Sequence, residues 1–122
     1  MREEIPGEDW LYRRIHRSQI RDGKVRASAY ALNAGEDGLS VWWDRYSTPE
    51  DARRDARHPG DHGVYDLQCG EVRAIPSLAV EHDPQSEKPG HARIKGDLDE
   101  EARFHLARLG RPVPAPSTAQ GG

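Results

Sequence analysis

The sequence predicts an α+β domain: a mostly antiparallel sheet of five or six strands with two main helices. Three observations carry this. Short stretches rich in Val, Ile, Trp and Tyr alternate with period two, as half-buried strands do. Only two longer stretches carry helix-start signals, at Thr48-Pro49 and at Asp97-Leu98-Asp99. The helices do not alternate one for one with the strands, so regular βαβ winding is not expected. A length of 122 residues suits one domain,. It is expected over residues 10–110, with a flexible N-terminus at 1–9 and a disordered Pro/Gly-rich tail at 111–122.

The chain is organised around Leu39-Ser40-Val41-Trp42-Trp43-Asp44-Arg45-Tyr46, read as the central strand. Leu39, Val41 and Trp43 form one face, which is apolar. Ser40, Trp42 and Asp44 form the other. Trp42 therefore either lies under a helix or belongs to a binding surface with Tyr46.

Taken in order, Trp10–His16 reads as the first strand. Asp22-Gly23 signals a turn. Val25–Leu32 reads as a second strand, with Val25, Ala27, Ala29 and Ala31 as a small-residue stripe. Thr48 can cap a helix, Pro49 suits its first position, and Glu50 and Asp51 fill its first turn. That helix is expected to end near Arg57, before Pro59-Gly60, and to lie on the sheet through Ala52 and Ala56. Val64–Leu67 and Leu78–His82 read as strands, with a helical turn at Glu71–Ile75. His91–Lys95 reads as the last strand, with Ala92 and Ile94 inward and His91, Arg93 and Lys95 outward. The final helix carries Leu98, Ala102, Leu106 and Leu109 on one stripe, Phe104 off to the side, and Gly110 at its end,.

Composition narrows the function. The 18 basic and 21 acidic residues leave a net charge of −3, with the signs interspersed, so nucleic acid is not an expected partner,. No apolar run approaches the roughly 18 residues that span a bilayer. One cysteine, Cys69, rules out an internal disulfide and fits a reducing compartment,. A cytoplasmic protein is expected. Cys69 itself is read as a buried structural thiol, since no partner His can be assigned to it.

Six histidines are the most suggestive compositional feature. Imidazole and carboxylate together suit a divalent metal. His58, Asp61, His62 and His82 could converge on one if the loop at 58–63 folds over the strand ends. Pro59-Gly60 prevents the His58–His62 spacing from being a helical metal pair. No other cofactor is expected. A metal-free alternative uses His91, Arg93 and Lys95 with Glu71 or Glu81 across the sheet, for acid–base chemistry on a phosphoester as in small ribonuclease-like toxins.

The residues thus support two functions. One is a small module that binds a protein partner through Trp42, Tyr46, Arg93 and Lys95. The other is a His-centred hydrolase, metal-dependent or ribonuclease-like, acting on a phosphoester. Whether the chain is an enzyme stays open at this level.

Several orders of residues resemble known groups. Leu11-Tyr12-Arg13-Arg14-Ile15, Leu39-Ser40-Val41 and His91-Ala92-Arg93-Ile94 resemble a group of small bacterial proteins with no known activity, which implies a compact intracellular domain over about residues 10–109. Arg13 on a first strand, a strand led by Ser28 and a later Glu resembles the order in ADP-ribosyltransferase-like folds. The Gly121-Gly122 end resembles those of ubiquitin-like proteins and sulfur carriers.

Overall fold

The computed structural model describes residues 2–114. Eight strands and three α-helices form in the order β1 (Trp10–His16), β2 (Ile20–Arg21), β3 (Lys24–Val25), β4 (Leu39–Trp43), α1 (Pro49–Arg54), β5 (His62–Gln68), α2 (Cys69–Arg73), β6 (Leu78–His82), β7 (His91–Gly96), α3 (Glu100–Leu109) and β8 (Arg111–Val113). Six strands make one antiparallel sheet in the order β6-β7-β4-β1-β5-β8, and β2 and β3 make a separate hairpin. The α+β class follows directly.

The Trp-rich strand is central, as its pattern predicts, and sits between β1 and β7. Leu39, Val41 and Trp43 face the core with Leu11, Ile15, Ala92, Ile94, Leu67 and Leu106. α1 covers part of the opposite face. Thr48 caps it, accepting from the Asp51 N–H while the Asp51 carboxylate accepts from Thr48 N–H. Ala52 is the residue that α1 buries.

Three expected features differ. The strand expected over Val25–Leu32 stops at Val25. Asp22 and Gly23 both take positive φ (54° and 77°), which closes β2 onto β3 as a two-residue hairpin,. Ala27–Tyr30 then coil into a 3₁₀ turn. Ala and Ser give a strand little to pack, whereas the turn drops Tyr30 into the core. Ser28 therefore leads no strand.

The second difference is at the N-terminus. Residues 2–9, expected to be flexible, are tied down. Ile5 is 1% exposed, Arg73 donates to its carbonyl, and Gly70 N–H donates to Gly7 O at 2.8 Å. The third is at residue 111, where a tail was expected to begin. Arg111–Val113 instead pair with β5. Residues 115–122, including Gly121-Gly122, lie outside the described residues.

The placement that matters most for function is a parting of the two central strands. β1 pairs with β5 along its whole length but with β4 only at Leu11↔Trp43 and Tyr12↔Trp42. Beyond Tyr12 the side chain of Arg13 bridges the gap, donating to Ser40 O and to Ala29 O, each at 2.9 Å.

Candidate active site

Where β1 and β4 part, a polar cavity of about 310 Å³ opens. Its lining includes Arg13, Arg14, His16, Ser28, Asn33, Glu36, Ser40 and His62. Its chemistry centres on Ser40. The register Trp42↔His91 and Ser40↔Arg93 sets β7 beside β4, and the His91 ring reaches diagonally to Ser40. Ser40 Oγ lies 3.1 Å from His91 Nε2. His91 Nδ1 lies 3.1 Å from Asp83 O and 3.4 Å from Asp83 Oδ2.

These contacts fix the tautomer. A carbonyl oxygen only accepts, so Nδ1 of His91 carries the hydrogen and Nε2 of the neutral ring carries the lone pair. Ser40 Oγ–H then donates to that lone pair. A hydroxyl bonded to an imidazole whose other nitrogen is anchored by the Asp83 carbonyl, with the Asp83 carboxylate 3.4 Å away, is an arrangement in which imidazole can take a proton from a nucleophilic serine.

The surroundings keep the base neutral. His91 is 4% exposed and stacks edge-on against Trp42 at 5.6 Å. Burial pushes its pKa down, against the pull of the Asp83 carbonyl and carboxylate, and the charges of Arg93 and Lys88 add to the fall,.

Asp83 is held in turn. Arg93 Nε donates to it at 2.9 Å and Arg93 Nη1 donates to Asp37 at 2.6 Å. Burial alone would raise the Asp83 carboxyl. The Arg93 hydrogen bond and charge, with His91 and Gln85, outweigh it and hold the group below the usual carboxylate range.

A depressed folded pKa stabilises above the unfolded value, about 3.9 for Asp, and that contribution is lost as pH falls through the folded value. Denaturation midpoints should therefore drop below about pH 4 more steeply in the wild type than in Asp83→Asn. Equal acid slopes in the two proteins would show that the pair with Arg93 adds no stability.

The cavity is also cationic. Arg13 has no carboxylate within ion-pair distance among the described residues, and its buried Nε has no hydrogen-bond partner. The guanidinium lies 5.7 Å from the Tyr30 ring. Arg14 sits over the Trp42 ring at 5.2 Å and donates to Ala52 O and Asp55 at 3.4 Å. A buried cation with no ion pair, felt by the Glu36 carboxylate only at longer range, suits an anionic ligand.

Of the residues singled out by sequence, His91 and Arg93 join the run that starts at Ser40, and Trp42 and His62 line the cavity. His91 was expected to point outward, but Trp42, Ser40 and the turn at Asp83 enclose it. Glu81 is not part of the relay; it pairs with Lys95 at 3.6 Å and Arg2 at 3.4 Å.

The four metal candidates are dispersed. His58 and Asp61 precede β5, which carries His62, while His82 lies on β6, with three strands between. Both His82 nitrogens are engaged, Nδ1 accepting from Glu3 N–H and Nε2 donating to Pro89 O. Among the described residues no three His, Cys, Asp or Glu side chains are grouped to hold a metal ion.

The four binding-surface candidates do not form one exposed face. Trp42 is 4% exposed. With Tyr46, Asp51, Asp55 and Lys88 it lines a separate cavity of about 290 Å³, where Lys88 already pairs with Asp55 at 2.8 Å. Arg93 and Lys95 both pair with Asp37. Cys69 is buried, and burial raises its thiol pKa, which fits a structural role.

Sequence reasoning missed Ser40 as a nucleophile, Arg13 as a cavity cation and His16 altogether. The shared face of Ser40 with Trp42, and of His91 with Arg93, was legible. The register joining the two strands was not. No helix among the described residues is long and apolar enough to cross a membrane. No protein-family model, curated protein or solved structure matches this chain, so its function has to be read from its own residues.

Proposed function

We propose that the chain is a hydrolase of phosphoesters that uses Ser40 as its nucleophile. The observation that carries this is the hydrogen-bonded run Ser40–His91–Asp83 opening into a cavity lined by Arg13, which makes no ion pair among the described residues. Ser40 Oγ attacks phosphorus while its proton passes to His91 Nε2. The ester oxygen departs, and water then cleaves the phosphoserine as His91 returns its proton to Ser40. Arg13 and Arg14 supply positive charge where the phosphoryl oxygens gather negative charge.

Arg13 favours a phosphoester over a neutral carboxylic ester, because only the former brings a negative charge to a buried guanidinium that has no ion pair. Protein binding through Trp42, Tyr46, Arg93 and Lys95 has less support, since Trp42 is buried and both cations are paired within the chain. A cytoplasmic setting fits the single buried thiol.

Ser40→Ala and His91→Gln test the reading against 4-nitrophenyl phosphate, bis(4-nitrophenyl) phosphate and 4-nitrophenyl acetate. The wild type should hydrolyse one of the phosphates in preference to the acetate. Either substitution should cost about 100-fold or more in kcat/KM, with melting temperature little changed for Ser40→Ala. Turnover undiminished in Ser40→Ala would sink the serine mechanism. A preference for the acetate would sink the phosphoester assignment.

A further inference from the structure

We infer that His62 is a further catalytic residue, the acid–base group facing Ser40 across the cavity, and that the substrate is an alkyl phosphoester whose leaving oxygen needs a proton. This rests on the phosphoester reading above and deepens it. An alkoxide is too basic to leave unprotonated, and displacement at phosphorus places the leaving group opposite the nucleophile. His91 serves the serine side. A second proton carrier is therefore required on the far wall.

His62 stands there. It lies on β5, and Ser40 lies on β4. β1, carrying Arg14, runs between them, and all three residues line the same cavity. Strand alternation and the registers Arg14↔Val64 and His16↔His62 put Ser40, Arg14, His16 and His62 on one face of the sheet. His62 pairs with His16, ring centroids 5.1 Å apart and nearly perpendicular.

Their hydrogen bonds separate the two rings. Ser18 N–H can only donate, so Nδ1 of His16 is an acceptor at 3.1 Å, and that bond requires the neutral ring. Nδ1 of His62 lies 3.1 Å from His58 O, which can only accept, so it carries a hydrogen. That bond survives whether or not Nε2 is protonated. Nε2 of His62 makes no hydrogen bond among the described residues. His62 thus keeps its anchor at Nδ1 with Nε2 open to exchange a proton, whereas the Ser18 N–H at Nδ1 of His16 places that ring's hydrogen at Nε2,.

The cycle balances. Protonated His62 gives its Nε2 proton to the departing alkoxide as the Ser40 Oγ–P bond forms and the P–O bond to the alcohol breaks. The Ser40 proton goes to His91. Water then enters from the vacated side. It loses a proton to neutral His62 as its oxygen bonds to phosphorus, the P–Oγ bond breaks, and His91 reprotonates Ser40. No metal or redox partner enters.

The test uses methyl 4-nitrophenyl phosphate, whose nitrophenolate departs without an acid. His62→Gln should release nitrophenolate in a burst stoichiometric with protein and then stall, with steady turnover down about 100-fold. Intact-mass analysis should find methylphosphoryl on Ser40. Ser40→Ala should show neither burst nor adduct.

Wild-type turnover in His62→Gln, or loss of burst and turnover together, would overturn the role of His62 while leaving that of Ser40 standing. Absence of burst, adduct and turnover from the wild type would overturn the phosphoester reading itself. A readout independent of activity is available in ¹⁵N–¹H spectra of the histidine rings. Neutral His62 should carry its hydrogen at Nδ1 and neutral His16 at Nε2. The reversed tautomer of His62 would overturn the inference without any assay.

Discussion

Trp43→Ala is expected to lower unfolding free energy by about 3–5 kcal/mol, the range for removing a large buried aromatic, and to reduce ester turnover at temperatures where the chain is still folded. Trp43 is fully buried. Its indole N–H donates to Asp9 at 2.9 Å, its ring stacks edge-on against Tyr46 at 5.2 Å and His82 at 5.0 Å, and its backbone N–H donates to Gly90 O at 2.8 Å. One side chain thus joins the N-terminal segment, the central strand and the turn from His82 to His91.

The loss has two parts. The void removes dispersion contacts that the rigid sheet cannot fully restore. It also removes the wall against which His82 is stacked, and His82 orders both Glu3 and Pro89. Asp83 and His91 bracket that same turn, so the Ser40 relay should loosen with it. Denaturant unfolding measures the first effect and kcat at low temperature the second. Trp43→Phe, which keeps a ring but loses the N–H, should recover more than half of the stability. A loss under about 1.5 kcal/mol for the Ala variant would mean the site collapses more easily than its packing implies.

How much of this was legible in the sequence follows from which interactions are local. Strands at 10–16, 39–43, 78–82 and 91–96 could be read because large apolar residues recur at period two beside turn signals. α1 could be read because Thr48, Pro49 and Asp51 act within one turn. The hairpin at Asp22-Gly23 could be read because two positive φ values need such residues. By contrast, Ala27–Tyr30 alternate in a way that fits a strand. Only the core's demand for the Tyr30 ring selects the 3₁₀ turn. Ile5 and Arg73 meet across 68 residues, and nothing near Ile5 announces that contact.

The site is non-local in the same sense. Ser40 and His91 are 51 residues apart, and their meeting depends on β7 pairing with β4 in one register. A shift of one residue would turn His91 to the core face. Histidine enrichment drew His58, His62 and His82 towards a metal, and among the described residues these side chains do not group. The structure engages His82 at both nitrogens and places His62 beside His16, a residue with no distinguishing neighbour in sequence.

Gly96→Ala should cost about 2–5 kcal/mol, from backbone strain and overlap together, and it should leave the chemistry of the folded protein intact. Gly96 has φ of +123°, a conformation side chains rarely adopt,. A Cβ there would drive into the carbonyl oxygen of Ser77 and come within 3.1 Å of Leu78 Cα. Both are backbone, so no rotamer change relieves the clash. Gly96 pairs with Leu78 where β7 ends and β6 begins. Among the described residues β6 is an edge strand with β7 as its one neighbour, so the damage enters where the sheet is least supported.

His82 and His91 lie at the other end of the same strand pair, with Ala79↔Lys95, Val80↔Ile94 and Glu81↔Arg93 between. That separation decides the functional outcome. The clash should fray the Gly96 end first, while Ser40, His91 and Asp83 keep their geometry as long as the chain is folded. Melting temperature should fall, and kcat measured well below it should stay within about twofold of wild type, because sites without shared contacts behave independently. Trp43→Ala is of similar size in stability but should fail the second measurement. If Gly96→Ala lost turnover in proportion to its stability, the β6–β7 pair would be acting as one cooperative unit with the relay, and the assignment of the site to the parting of β1 and β4 alone would be too narrow.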